Sequence, residues 1–213
     1  GSDNEDSNQT TITNGTSASS DDSASNSGAV YVYRRSGTTW AQEAYIKSVN
    51  NEAIDQFGTH VTLDNDTLVV GALYEDSNQS TITNGTTASG DNSNQASAAV
   101  YVYRRSGTTW AQEAYIKPAN NYGSSSRNFG FNVDLSGDTL AVGAYDENSN
   151  QTTITNGTTA SNDESSSNSG AVYVYKRTGT SWAQEAYIKA SNNRADAKWG
   201  RIVALDGDTL AVG

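Results

Sequence analysis

The sequence predicts an all-β protein: a β-propeller of four-stranded antiparallel blades, with three repeats of about 70 residues in this chain. The heptapeptide that begins at Ala29 returns at Ala99 and, with Lys in place of one Arg, at Ala171. The segment that begins at Trp40 likewise returns unchanged at Trp110. Each repeat contains short apolar runs that alternate at period two, and no helical pattern competes with them.

The repeats divide a single propeller region, 1–213, into units 1–70, 71–142 and 143–213. Whole blades are expected at 57–117 and 129–189, with half-blades before and after them. Small sheets that cannot cover both of their apolar faces bury them by stacking on their neighbours. A β-solenoid is the alternative, but solenoid coils are usually much shorter than this period.

The first two strands of each unit flank a tight turn. Near the end of unit 71–142, for example, Gly137 stands between two alternating apolar runs, in a turn where a glycine can take positive φ. Asp66, Asp138 and Asp208 occupy corresponding places, and we interpret them as turn residues that bond their own backbone.

The third and fourth strands flank a second turn around Gly107. The tryptophan that begins each fourth strand is predicted to fill the space between blades, as Trp110 illustrates. The basic pair Arg104-Arg105 and its repeats end the third strand. They are expected to pair across the hairpin with Glu113 and its repeats.

A polar insertion of about 25 residues separates the second and third strands of every unit, which is long for a compact repeat. Its first half is nearly identical in all three copies and ends in Thr-Ile-Thr-Asn-Gly-Thr, which predicts a hairpin with an outward Asn-Gly turn. Because the copies emerge on one face, they form an array suited to binding a protein or a glycan. The candidate binding residues are Asn8, Gln9, Thr11 and Asn14; Asn78, Gln79, Thr81 and Asn84; and Asn150, Gln151, Thr153 and Asn156.

Composition excludes several classes of function. The formal net charge is -11 and the pI is about 4.3, so we expect no nucleic-acid partner. The absence of cysteine and the single histidine, His60, remove thiol nucleophiles and multi-histidine metal sites. Since nothing distinguishes one carboxylate pair from its repeat copies, we expect no enzymatic activity. No apolar run approaches the roughly 18–20 residues that cross a bilayer, so membrane insertion is not expected.

Acidic residues at the start of the insertions are the candidate metal ligands, because calcium prefers carboxylate and carbonyl oxygens. The candidates are Glu75, Asp76, Asp146 and Glu147. Solvated charge is the alternative explanation for acidic loops. We therefore expect no cofactor.

The repeats resemble the FG-GAP family, whose blades form the propellers of integrin alpha chains and of many bacterial surface proteins. Phe57-Gly58, Phe129-Gly130 and the variant Trp199-Gly200 resemble the FG element, and Gly71-Ala72 and Gly143-Ala144 resemble the GAP element. The resemblance implies a propeller at the cell surface or in the extracellular space, of the bacterial subtype. The calcium loop of integrin blades is shortened here to turns of three residues, so the resemblance does not extend to calcium binding.

Two functions follow from these observations. The first is an interaction or structural module in adhesion or surface assembly, acting through the long insertions. The alternative is a lectin-like propeller with one carbohydrate site per blade. The half-blades also predict self-association in which two chains complete each other's blades.

Overall fold

The computed structural model describes residues 1–121 and 128–213, and within them the chain forms antiparallel strands and no helix. The first sheet consists of β1 (Thr13–Asn14), β2 (Val30–Ser36) and β3 (Thr39–Ile46). The second blade consists of β4 (Phe57–Asp64), β5 (Thr67–Ala72), β6 (Ile82–Asn84), β7 (Ala99–Ser106) and β8 (Thr109–Ile116). The third blade consists of β9 (Phe129–Ser136), β10 (Thr139–Ala144), β11 (Ile154–Asn156), β12 (Ala171–Thr178) and β13 (Ser181–Ile188). The last hairpin consists of β14 (Val203–Asp206) and β15 (Thr209–Val212).

The two complete blades have five strands, one more than the four predicted. Their orders are β4-β5-β7-β8-β6 and β9-β10-β12-β13-β11. The extra strand comes from the insertion, whose residues Ile82–Asn84 pair with the outer strand β8. The predicted Asn-Gly hairpin is therefore wrong: the amide of Gly85 donates to the carbonyl of Glu113 at 2.7 Å. The physical reason is that the exposed edge of β8 carries unpaired backbone groups that the insertion can satisfy.

The tight turns of the strand pairs form as the sequence predicts. Asn65, Gly137 and Gly207 take φ values of 53°, 59° and 55° in the turns between the first two strands. The second turn likewise has a glycine at positive φ, with Gly107 at 64°. These turns fix the antiparallel register of both hairpins.

Consecutive sheets pack face to face through one apolar cluster at each of the three junctions, the third lying between the third blade and the last hairpin. In the cluster between the first sheet and the second blade, Phe57 contacts the rings of Tyr101 and Tyr103 of its own blade edge-on, at centroid distances of 5.3 and 6.1 Å. Trp110 and Trp182 are both buried in these clusters. The prediction that tryptophans fill the space between blades is confirmed at these two positions.

The glycines of the recurring Phe-Gly and Gly-Ala motifs meet across a junction. A Cβ atom added to Gly71 would lie 2.4 Å from the carbonyl oxygen of Gly130, and one added to Gly143 would lie 2.1 Å from that of Gly200. Gly130 itself takes a φ of 79°. Side chains at these positions would force the two sheets apart, which explains why glycine occupies both.

The basic pairs reach further than the sequence analysis predicted. Arg34 does bond Glu43 across its own hairpin, at 3.3 Å. Arg105, in contrast, lies over the ring of Trp110 and extends to the preceding sheet, where it bonds Glu43 at 3.2 Å. It also bonds Asp66 at 2.6 Å, so this turn aspartate pairs with an arginine side chain. The predicted cross-hairpin pairing is therefore found for Arg34, whereas Arg105 contacts the glutamate of the preceding sheet instead.

The stacked sheets remain open. Among the described residues, β2 pairs with β3 and β15 pairs with β14, and neither pairs with a further strand on its other edge, although Ser2 forms an antiparallel bridge with Ala29 directly before β2. No helix in the described part of the chain is long and apolar enough to cross a membrane.

Candidate functional site: the long insertions

Each insertion is attached to its blade by a buried network of polar side chains. In the second blade, Glu75 accepts hydrogen bonds from Tyr115 and from the ammonium group of Lys117, both at 2.7 Å. Lys117 also donates to the hydroxyl of Ser97 at 2.6 Å, near the other end of the insertion. The side chains of Glu75 and Lys117 are almost fully buried. The network therefore joins both ends of the insertion to the outer strand.

The same network recurs in the other two repeats. Lys47 bonds Glu5 at 2.8 Å, and Lys189 bonds Glu147 at 2.6 Å. Burial lowers the pKa of Lys117, while the neighbouring Glu75 opposes that shift. Glu75 and Glu147, two of the candidate metal ligands, are thus held by ammonium groups in the structure. A carboxylate that is already paired with lysine is a poor site for a cation.

The other two candidate ligands have separate roles. Asp76, at the start of the insertion, accepts a hydrogen bond from the amide of Ala96, near its end, at 2.6 Å. This bond holds the two ends of the insertion together. Asp146 accepts a hydrogen bond from Asn128, and burial raises the pKa of this carboxyl group. Among residues 1–121 and 128–213, no group of three or more histidine or acidic side chains is arranged to hold a metal ion.

A pair of asparagines after each outer strand holds the insertions, and the sequence analysis did not single it out. Asn121 donates to the carbonyls of Ser77 and Gln79 at 2.9 and 2.8 Å, which fixes the start of its own insertion. The first asparagine acts on the next repeat: Asn50 donates to Glu75 at 3.1 Å and accepts from Tyr101 at 2.7 Å. The fixed place of the pair, three residues after the lysine in every repeat, is the signal that could have identified it.

The tail of each insertion turns around an aspartate. Asp91 accepts hydrogen bonds from the amides of Asn78 and Ser93 and from the hydroxyl of Ser93. These bonds lower the pKa of the carboxyl group. Asp21 and Asp163 make the corresponding bonds. The whole insertion is therefore a structured part of the blade.

The predicted binding residues separate into inward-facing and exposed groups. The side-chain amide of Gln79 donates to the carbonyl of Thr81 and the hydroxyl of Thr83, both at 2.9 Å, so it is used within the loop. Gln9 and Gln151 make the corresponding bonds. The exposed group consists of Asn8, Thr11, Asn78, Thr81, Asn150 and Thr153. We call residues 8–11, 78–81 and 150–153 the loop-edge surface.

The asparagine of each Thr-Ile-Thr-Asn-Gly segment binds the neighbouring blade. Asn84 accepts from the backbone amide of Trp182 at 2.7 Å and donates to the carbonyl of the same residue at 3.2 Å. Asn14 contacts the backbone of Trp110 in the same way. Two of the predicted ligand-binding asparagines thus hold blades together. Asn156 occupies the equivalent place in the third repeat and is exposed.

A cleft of about 260 Å³ lies at the junction between the first sheet and the second blade, and another of the same size lies between the second and third blades, each bordered by the loop-edge surface. One cleft is lined on its first side by Thr11 and Ile12 and on its second by Tyr103 and Trp110. The other has the same residue types at the equivalent positions. In the described part of the chain, the buried hydroxyls of Tyr103 and Tyr175 have no hydrogen-bond partner. Each cleft thus combines an aromatic wall with hydroxyl groups.

His60 does not form part of a catalytic arrangement. It is half-buried on β4, its Nε2 atom lies 3.5 Å from the amide nitrogen of Asn132, and burial lowers its pKa. Within residues 1–121 and 128–213, no serine hydroxyl bonds the His60 ring. The described geometry gives no support to a serine–histidine–aspartate mechanism.

A comparison with known families gives a match along most of the chain. A sequence model of the FG-GAP repeat matches residues 40–103, 110–175 and 182–213. A search of curated proteins found no match. FG-GAP repeats are typically extracellular, non-enzymatic interaction modules with a propeller-like arrangement. Because the three matched segments cover more than half of its length, this chain belongs to the FG-GAP repeat family.

Proposed function

We propose that this chain is an interaction module at the cell surface or in the extracellular space, used in adhesion or surface assembly, and that its loop-edge surface binds the partner. The observation that carries the proposal is the exposure of the same hydroxyl and amide groups, on structured loops, in all three repeats. A surface that is ordered before binding loses little conformational entropy when a partner docks.

The chemistry of the loop-edge surface favours a neutral polar partner. Residues 8–11, 78–81 and 150–153 contain only asparagine, glutamine, threonine and serine. These side chains both donate and accept hydrogen bonds without carrying charge. The backbone and hydroxyl groups of an extended protein segment present the complementary pattern, and its repetition along the chain favours a partner that is itself repetitive.

A lectin function is the second candidate, and the clefts favour it. A volume of about 260 Å³ accommodates one small sugar unit. The walls offer a tyrosine and a tryptophan for the apolar face of a sugar ring, while the threonines at the border offer hydrogen bonds to its hydroxyls. Each junction between blades would then be one carbohydrate site.

Binding to a printed glycan array and to a panel of purified extracellular proteins tests both candidates. The informative variant replaces Thr11, Thr81 and Thr153 with glutamate, because a carboxylate cannot donate the hydrogen bond of the hydroxyl it replaces and would lose its hydration when a neutral partner docks. The matched control replaces the exposed threonines Thr38 and Thr108, together with Thr180, with glutamate in the turns of the outer hairpins.

We expect the loop-edge variant to lose binding and the turn variant to keep it. Binding to proteins supports the first candidate, and binding to glycans supports the lectin. Equal binding by both variants, or no binding on either array, would contradict a role for the loop-edge surface.

A further inference from the structure

The buried glutamate of the third blade holds an amine and a carboxamide on its two carboxylate oxygens. Oε2 of Glu147 accepts a hydrogen bond from the ammonium group of Lys189 at 2.6 Å, and Oε1 accepts one from the side-chain amide of Asn120 at 3.2 Å. Lys189 directly follows β13, whereas Asn120 follows β8 of the preceding blade. Glu147 and Asn120 are 0% exposed and Lys189 is 3% exposed. Two groups from neighbouring blades therefore meet at one carboxylate in the protein interior.

Further hydrogen bonds fix both groups in place. The hydroxyl of Tyr173 donates to Oδ1 of Asn120 at 2.5 Å, where it can stabilise negative charge on that oxygen. The amide of Asn120 also donates to the carbonyl of Ser161 at 2.7 Å, and Lys189 donates to the hydroxyl of Ser169 at 2.8 Å. A nucleophile, a base, a carbonyl carbon and an oxyanion donor thus lie together.

The same constellation lies between the first sheet and the second blade. Glu75 accepts from Lys117 at 2.7 Å and from the amide of Asn50, which follows β3, at 3.1 Å. The hydroxyl of Tyr101 donates to Oδ1 of Asn50 at 2.7 Å. Burial lowers the pKa of Lys117, although the neighbouring Glu75 opposes this shift. Burial therefore favours the neutral amine, which is the nucleophilic form of lysine.

We propose that each constellation forms an isopeptide bond within the chain, in which the lysine attacks the carboxamide of the asparagine and releases ammonia. The products are an Asn120–Lys189 bond and an Asn50–Lys117 bond. Each bond would join a blade covalently to the sheet before it. Holding both groups on one carboxylate makes the reaction intramolecular, which lowers its entropic barrier.

The reaction balances without an oxidant. The extra proton of Lys189 passes to Glu147, and the Nζ lone pair attacks Cγ of Asn120 while the carbonyl electrons move to Oδ1, which accepts from Tyr173. Glu147 passes its proton to Nδ2, the Cγ–Nδ2 bond breaks, and ammonia leaves with the electron pair. A proton of Nζ then passes through Glu147 to the ammonia. The products are a secondary amide and an ammonium ion.

Mass spectrometry of the full chain measures the reaction, after incubation in the folded state and then unfolding. Each bond removes one ammonia, about 17 Da, so we expect the wild type to lie about 34 Da below the mass of its sequence. Ring closure at the Asn-Gly sequences releases the same ammonia, so tandem mass spectrometry of proteolytic peptides must locate the loss. We expect branched peptides that contain the Asn50–Lys117 and Asn120–Lys189 bonds.

Variants of the third blade test the roles of its residues. Glu147→Gln keeps the size and polarity of the side chain but removes the base, so only the Asn50–Lys117 bond should form and the deficit should fall to about 17 Da. Lys189→Arg keeps the positive charge but removes the amine, and it should have the same effect. The matched control is Glu52→Gln, the same change at an exposed glutamate, which should keep both bonds.

Circular dichroism checks that each variant folds. A folded wild type at the full mass of its sequence would overturn the proposal, whatever the variants do. A loss of ammonia that maps to the Asn-Gly sequences would also overturn it. An Asn120–Lys189 bond in folded Glu147→Gln would contradict the assignment of Glu147 as the base.

Discussion

The first sheet and the second blade contain the same eight residues in different surroundings. Residues 40–47 and 110–117 are identical in sequence, and Tyr31↔Tyr45 and Tyr101↔Tyr115 pair in the same register. The tryptophan at the start is nevertheless exposed in the first segment and buried in the second. The strand is a local property of these residues, whereas the burial of its tryptophan depends on having a sheet in front of it.

The glutamate in the middle of the same segment is buried in the first two repeats and exposed in the third. Glu43 and Glu113 are buried because the following sheet covers them, and Glu185 is exposed. A repeat protein of this kind gains its stability from contacts between neighbouring units. Equivalent substitutions in different repeats should therefore have different costs.

The largest difference is expected for the two tryptophans. Trp110→Ala should lower the free energy of unfolding by about 3–5 kcal/mol, because it leaves a cavity between two sheets and removes the indole donor to Glu43. Trp40→Ala should lower it by less than about 0.5 kcal/mol in dilute solution, because an exposed side chain loses little. Urea denaturation followed by circular dichroism measures both. Equal losses would show that stacking does not explain the burial of Trp110.

A smaller difference is expected for the buried lysines. Lys117→Ala should cost about 3–5 kcal/mol, because it leaves the buried carboxylate of Glu75 without its ammonium partner. Lys47→Ala should cost less, because Glu5 is partly exposed and water can solvate its charge. The same denaturation experiment compares them. A greater loss for Lys47→Ala would contradict this account of the network.

Asp55 makes the junction between the first sheet and the second blade sensitive to pH. Burial, and then the charges of Glu75, Glu52 and Asp76, raise its pKa to about 8, although it accepts a hydrogen bond from the amide of Glu52. Lys117 lies close enough to interact with the carboxylate. The corresponding residue of the third repeat is Ala197, which does not titrate.

The sign of the effect follows from proton binding. Between the ordinary pKa near 3.9 and the raised value near 8, the folded chain keeps the proton on Asp55 and the unfolded chain releases it, so stability falls as pH rises. The contribution of this group should fall by roughly 2–3 kcal/mol from pH 5 to pH 7. Asp55→Asn should remove that part of the slope in denaturation curves measured across this range. An unchanged slope would assign the pH dependence to other groups.

Much of the architecture could be predicted from the sequence. The period, the hairpin turns and the alternation of apolar residues are local signals, so the strands of 57–64 and 129–136 and the turns at Asn65 and Gly137 follow from them directly. The burial of Trp110 could also be predicted, because a recurring tryptophan at the start of a strand is typical of a packed interface.

The candidate site was predicted less completely, for two reasons. Asn84 looked like a turn residue, yet it lies next to the backbone of Trp182, and no local pattern reports a contact between residues 98 positions apart. Glu75 looked like a solvated acid or a metal ligand, and its pairing with Lys117 depends on how the insertion folds back along the outer strand.

The sequence by itself thus determined the repeat, the strands and the residue types that recur at each junction, because these depend on neighbours along the chain. Only the tertiary structure decided which copy of each residue is buried. Trp40 and Trp110 have the same local sequence, and the stacking of one sheet on another removes the second from water while the first remains exposed. The free energy of that burial comes from contacts between sheets, which local sequence does not encode.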